Sequence, residues 1–116
     1  MKRGDVYWAN LSPRSGSEQT GRRPVVILSH DAFNQATGWR SIIVVPISTS
    51  SNQAKRGPTV VLLTAGTAGL ANDCSAICHQ ITTIDRAKLT ERIGELSPDV
   101  LTFIEKALLA AVDIRQ

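Results

Sequence analysis

A chain of 116 residues, 42% hydrophobic and 20% charged, is sized for one domain with a real core, so neither a disulfide nor a zinc staple is needed to hold it. No apolar run approaches the ~18–20 residues of a membrane span, and no basic-then-apolar leader opens the chain, which together point to the cytoplasm. The net charge of +3 hides an asymmetry: residues 1–58 carry eight basic groups against Asp5, Glu18 and Asp31, net +5, while residues 59–116 come to −2.

The first half should therefore build a surface that draws a polyanion, although composition alone reads equally as a solvated basic face. The only cysteines, Cys74 and Cys78, are four apart with no second pair or clustered histidine. That is a weak metal signal, and small buried thiols in a reducing compartment are the better reading.

In chain order, Val6 to Leu11 is short and rich in strand formers, and Ser12-Pro13 ends it. From Pro13 to Gly21 the sequence is polar and aperiodic, which reads as a loop. Pro24 to Ser29 reads as a buried strand with proline confined to its first position. Residues 30–38 can hold one helical turn, with Ser29 or Asp31 near its start. Ser41 to Ser48 is the next strand, and Pro46 predicts an edge or a bulge late in it.

Residues 49–58 form a second polar, basic loop, and Thr59 to Leu63 another strand. Glycines 66 and 69 mark turns before an extended stretch from Asp73 to Ile81, and 85–89 suits a short helical turn. Ser97-Pro98-Asp99 is a strong helix start: a hydroxyl cap, proline at the first position, then an acid in the first turn. Leu101, Ile104, Leu108 and Val112 follow at helical spacing, with Ala107 and Ala111 beside them. The outline is a twisted, mainly antiparallel sheet curled into a small barrel, with one closing helix packed on it.

Function sits most often on loops held by a rigid sheet, and the two polar loops are both basic. The first carries Glu18, Gln19, Arg22 and Arg23. A residue before proline is held extended, so Arg23 stands where the loop locks into a buried strand and its guanidinium is aimed. A planar fork of permanent charge suits a phosphate; pairing with Glu18 or a C-terminal acid is the bland alternative. Ser48 and Thr49 close the third strand with hydroxyls that either donate to a phosphoryl oxygen or cap a turn. His79, in an apolar stretch, is either a structural imidazole or a proton carrier suited to neutral pH.

At these residues the sequence resembles the MazF/PemK toxins of bacterial toxin–antitoxin pairs, and the likeness runs along nearly the whole chain. Four blocks carry it: Lys2-Arg3-Gly4-Asp5-Val6-Tyr7; Gly16-Ser-Glu-Gln-Thr-Gly-Arg-Arg-Pro24 and its continuation to Ser29; Val45-Pro46-Ile47-Ser48; and Gln80-Ile-Thr-Thr-Ile-Asp85. The second is the most specific. The resemblance implies a small SH3-like barrel with a C-terminal helix, assembled as a homodimer. It implies sequence-selective cleavage of single-stranded RNA, chiefly mRNA, with no metal or other cofactor. The 2′-hydroxyl would attack the adjacent phosphorus, leaving 2′,3′-cyclic phosphate and 5′-hydroxyl ends. A cognate antitoxin of the MazE type would wrap the dimer and occupy the RNA groove.

Carried over by position, Arg23 matches the arginine that serves the scissile phosphate, stabilising the pentacoordinate state, with proton donation to the leaving oxygen as a second role. Ser48 falls where many members have threonine, and Thr49 is its alternative. Glu18 is a candidate base for the 2′-hydroxyl. Ser17, Gln19, Arg22, Lys55, Arg56 and Gln80 are the candidate RNA contacts. Ser17 stands where some members carry histidine, and His79 where relatives have an acid, so the general base is open between Glu18 and His79. Two other readings are a gyrase poison of the CcdB type and a barrel that binds without cutting. The first works through a C-terminal Trp-Gly-Ile, whereas this chain ends Asp113-Ile-Arg-Gln116.

Overall fold

The computed structural model describes residues 1–12, 16, 18–49 and 57–115. Along the chain run β1 (Asp5–Asn10), β2 (Arg22–Ile27), α1 (Asp31–Asn34), β3 (Ser41–Ser48) and β4 (Val60–Leu63), then β5 (Cys74–Ile77), β6 (Thr82–Asp85), β7 (Leu89–Glu95) and α2 (Pro98–Ala111). The strands make one antiparallel sheet in the order β4-β5-β3-β2-β1-β7, with β6 also on β3.

Alternation along the strands divides the core in two. Val6, Val26, Val45 and Ile47 face outward onto Leu63, Leu70, Ile104 and Ala107. Ala9, Val25, Ile27, Ile42, Val44 and Ile84 face the other way, with Leu11 and the partly buried Met1, Tyr7 and Leu89. That second cluster is the inside of a barrel. Its far strands, β6 and β7, are joined only by the 3-10 turn Arg86–Lys88, so the sheet has to curl until its flanks approach. Register shifts between β1 and β7, at Val6/Tyr7 and Tyr7/Ala9, supply part of the bend.

β6 and β7 are the strands that the sequence reading did not foresee; of the two, β7 is the longer. Its Thr90, Glu91 and Arg92 are exposed, and it pairs with β1 alone. Gly94 is needed there because a Cβ would collide with the Ala68 carbonyl of the turn packed against it. The extended reading of 73–81 also changes: Cys78–Gln80 is a 3-10 turn that separates β5 from β6.

The closing helix starts as expected, with the Ser97 hydroxyl accepting from Val100 N at 3.3 Å and proline in the first turn. It buries Ile104 and Ala107 on the outer cluster. The stripe stops one turn early, however, because Val112 lies past the helix end and is exposed. Both thiols are buried and unpaired with each other, and burial pushes the Cys78 thiol up to about 12. No helix among the described residues is long and apolar enough to cross a membrane.

Candidate functional site

The site forms where the sheet comes apart. β2 and β3 pair through Ile27↔Val44, Val26↔Val45 and Val25↔Pro46. Prolines at 24 and 46 have no N–H to continue the ladder. Beyond them β2 stays with β1, as Trp8↔Pro24 and Ala9↔Arg23, while β3 turns to β5, as Ile47↔Ala76 and Ser48↔Ser75. The late proline thus marks a strand changing partner. Into the gap opens a cleft of about 340 Å³, with Trp8, Arg22, Arg23 and Pro24 on one bank and Ile47 and Thr49 on the other. Leu70, Asn72, Cys74 and Ile93 complete its floor and far wall.

Arg23 stands at this opening, half-buried, on the strand face shared with Ala9 and Val25. Its Nε donates to Thr20 O at 3.0 Å, which fixes the plane of the guanidinium against the loop. Among the described residues its two terminal nitrogens have no partner, so the fork is oriented and unspent. The pairing with Glu18 considered from sequence is not what holds it.

The loop itself is closed at its base, where Gly21 O accepts from Leu11 N at 2.8 Å and the Ser12 hydroxyl accepts from Gly21 N at 3.1 Å. Gly21 is left-handed, φ +79°, a conformation that favours glycine. Across the barrel mouth, Gln80 Oε1 accepts from Gln19 N at 2.8 Å. The two glutamines are therefore joined, and Gln80 positions the loop from the 3-10 turn.

The neighbouring His79 faces elsewhere: its Nδ1 shares a hydrogen bond of 2.8 Å with Thr59 Oγ1, and Cys78 N donates to Thr59 O. Glu18 is exposed in the loop and makes contacts of its own. Ser48 is 2% exposed and engaged, whereas Thr49 is exposed on the cleft bank. Ser48 is paired with Ser75 of β5, beyond the point where β3 leaves β2. Ser17, Lys55 and Arg56 lie outside the described residues.

Trp8 is the site residue that the sequence reading missed. Its ring carries the Arg22 guanidinium at 4.2 Å from the centroid, and Arg22 also pairs with Glu91 at 3.5 Å. The signal was available only through register: a strand aromatic directly opposite the proline that follows two arginines. Among the described residues no three His, Cys, Asp or Glu side chains gather as a metal would require.

Known proteins agree with this architecture. Residues 2–112 match the family model of the PemK-like, MazF-like toxin of type II toxin–antitoxin systems. The chain is 39% identical over 116 residues to endoribonuclease EndoA of Bacillus subtilis, covering 97% of both proteins. It is 38% identical over 117 residues to endoribonuclease MazF9 of Mycobacterium tuberculosis, covering 98% of both. Its fold superposes on a MazE–MazF crystal structure from Deinococcus radiodurans with a TM-score of 0.74 at 27% identity, over 99% of this chain and 97% of that one. With a family model spanning nearly every residue and the arginine–proline step at the mouth of the split sheet, the chain belongs to the PemK/MazF toxin family.

Proposed function

We propose that the protein is an endoribonuclease toxin that cuts single-stranded RNA, chiefly mRNA, in the cytoplasm by metal-independent transesterification. The observation that carries this reading is Arg23: an arginine oriented by one carbonyl, with its terminal donors open at the gap between β2 and β3.

In the reaction the 2′-oxygen forms a bond to the adjacent phosphorus as the bond from phosphorus to the 5′-oxygen breaks. The products are a 2′,3′-cyclic phosphate and a 5′-hydroxyl. Arg23 offers two donors to the non-bridging oxygens, whose negative charge grows in the pentacoordinate state. The Ser48 hydroxyl, at the end of β3, or that of Thr49 on the cleft bank, supplements it. The 2′-hydroxyl proton leaves to Glu18 or His79, and the departing 5′-oxygen takes a proton from the Arg23 guanidinium or from water to become the 5′-hydroxyl. Glu18 shares the Arg23 loop; His79 is anchored on Thr59 at the start of β4, so the loop carboxylate is the better placed.

Gln19, Arg22 and Ser17 on the first loop, Lys55 and Arg56 on the second, and Gln80 behind the first would line the path of the strand. A MazE-type antitoxin would neutralise the enzyme by occupying that path, in keeping with the MazE–MazF complex to which the fold is similar. A homodimer would extend it across two copies. Incubating the pure protein with a long single-stranded transcript in excess EDTA, then mapping fragment ends, tests the chemistry. Cyclic-phosphate ends formed at an undiminished rate are expected; loss of cutting on chelation would sink the metal-free reading.

A further inference from the structure

The cleft beside Arg23 has a character of its own. Most of its lining is apolar, and Trp8, half-buried, lines it together with Arg22, whose guanidinium lies over the Trp8 ring. Trp8 is directly opposite Pro24 in the β1–β2 ladder, so its ring lies on the outward face, with Ile47, Leu70 and Ile93 beyond. At about 340 Å³ the space falls at the small end of the range of ~300–1,000 Å³ typical of ligand sites. A flat aromatic guest would find a π-face to stack on, aliphatic walls against its other face, and Asn72 and Thr49 at its edges to exchange hydrogen bonds.

A flat cation already lies on the ring. Arg22 covers Trp8 at 4.2 Å and, among the described residues, is tethered only by Glu91 at 3.5 Å, a pair whose side chains are 52% and 76% exposed. Exposed pairs of this kind hold weakly. Arg22 is therefore a removable cover, and a better anion than Glu91 would draw its charge off the ring. An RNA strand brings both things needed, a phosphate for the guanidinium and a base for the indole. Arg23, next in sequence to Arg22 and bordering the same cleft, holds the neighbouring phosphate in the reading above.

We infer that Trp8 is a stacking platform for a nucleobase flanking the scissile phosphate, with Arg22 leaving the ring for the RNA backbone as the base enters. The inference rests on the endoribonuclease reading and adds a base subsite to it. It also gives the two adjacent arginines different work: Arg23 serves the reacting phosphate, and Arg22 exchanges the indole face for a phosphate on binding.

The test uses Trp39→Phe protein, so that Trp8 is the only indole, since Trp8 and Trp39 are the two tryptophans of the chain. The cut site is first mapped on a long single-stranded transcript. An oligonucleotide spanning that site, with a 2′-deoxy residue at the attacking position, then binds without being cut. Titrating it should change Trp8 emission in step with anisotropy of a label on the oligonucleotide. Trp8→Ala should raise KM about tenfold with a smaller fall in kcat, and Trp8→Phe should restore most of it, as expected for a lost base stack.

The Phe variant keeps the ring and the packing, so it separates a lost platform from a weakened fold. Trp8 emission unchanged with the oligonucleotide bound, or Trp8→Ala cutting with unaltered KM, would overturn the subsite and leave the nuclease reading intact. No cutting and no binding by the unaltered protein would overturn both.

Discussion

At the end of the β1–β2 hairpin where β1 begins, arginine donors are consumed by the protein itself. Arg86 donates from Nε to Trp39 O at 2.8 Å and from Nη2 to Phe33 O and Asn34 O at 3.2 and 2.9 Å. Arg3 donates to Leu28 O at 3.0 Å and pairs with Glu105 on α2 at 2.7 Å. At the hairpin's other end, among the described residues, Arg23 uses only Nε, and Arg22 rests on a ring and a single exposed acid. Residue type is the same at both ends, and the number of acceptors within reach separates them. Arginines sewn to carbonyls and to Glu105 hold α1 and α2 on the sheet; at the other end, no acceptor among the described residues fills the terminal donors of Arg23.

Removing the sewn arginine should cost the fold far more than the activity per folded molecule. Arg86→Ala forfeits three charge-assisted contacts and should lower stability by about 2–3 kcal/mol, a fall in Tm of roughly 10 °C by calorimetry. A Tm within two degrees of the parent would mean that the two ends do not differ as described.

Gln80→Ala sharpens the comparison on the other side. It releases Gln19 N and should cost about 1 kcal/mol of stability while lowering kcat several-fold, because the loop that aims Arg23 is no longer pinned. Hydrogen exchange at Gln19 should quicken in the same variant. Smaller again is Glu91→Gln, which loosens Arg22 and should lower KM by ~2- to 5-fold at low salt. A raised KM would assign Glu91 to RNA contact instead.

The mildest effect is on acid stability at the sewn end. Asp31 accepts from Arg3 N at 2.7 Å, and this bond, then that from Asn34, holds its carboxyl below the usual value of 3.8. A carboxylate with a depressed pKa stabilises the fold above its unfolded value, and that contribution fades as pH falls through the lower folded one. Asp31→Asn should therefore lower Tm slightly at pH 7, and the difference from the parent should close as pH falls below about 4.

Much of this was legible in the sequence, for reasons that particular residues make plain. Ser97-Pro98-Asp99 announced α2 because capping chemistry is local. Arg23-Pro24 announced an oriented arginine where the first loop meets β2, because proline restricts its neighbour whatever the fold. Pro46 announced an irregularity, although that it marks a strand changing partner from β2 to β5 needed the pairing. β7 was hidden because an edge strand with exposed Glu91 and Arg92 and a glycine at 94 lacks a clear apolar period.

The contact between Trp8 and Arg22 was hidden for another reason. They sit 14 residues apart in the sequence and meet only through hairpin register. The same limit applies to the glutamine pair, where Gln19 and Gln80 meet across the barrel mouth. It applies to His79, whose partner Thr59 no spacing rule indicates.

The open fork of Arg23 is the point on which the account turns. Single-turnover cleavage of a mapped RNA site in EDTA, run on the parent and on Arg23→Ala with Tm recorded for both, tests it most directly. The account predicts a fall in rate of at least ~10²-fold with Tm within about two degrees, since the arginine gives the fold only one bond to Thr20 O. An Arg23→Ala protein that cuts at the parental rate would contradict it and place the phosphate elsewhere.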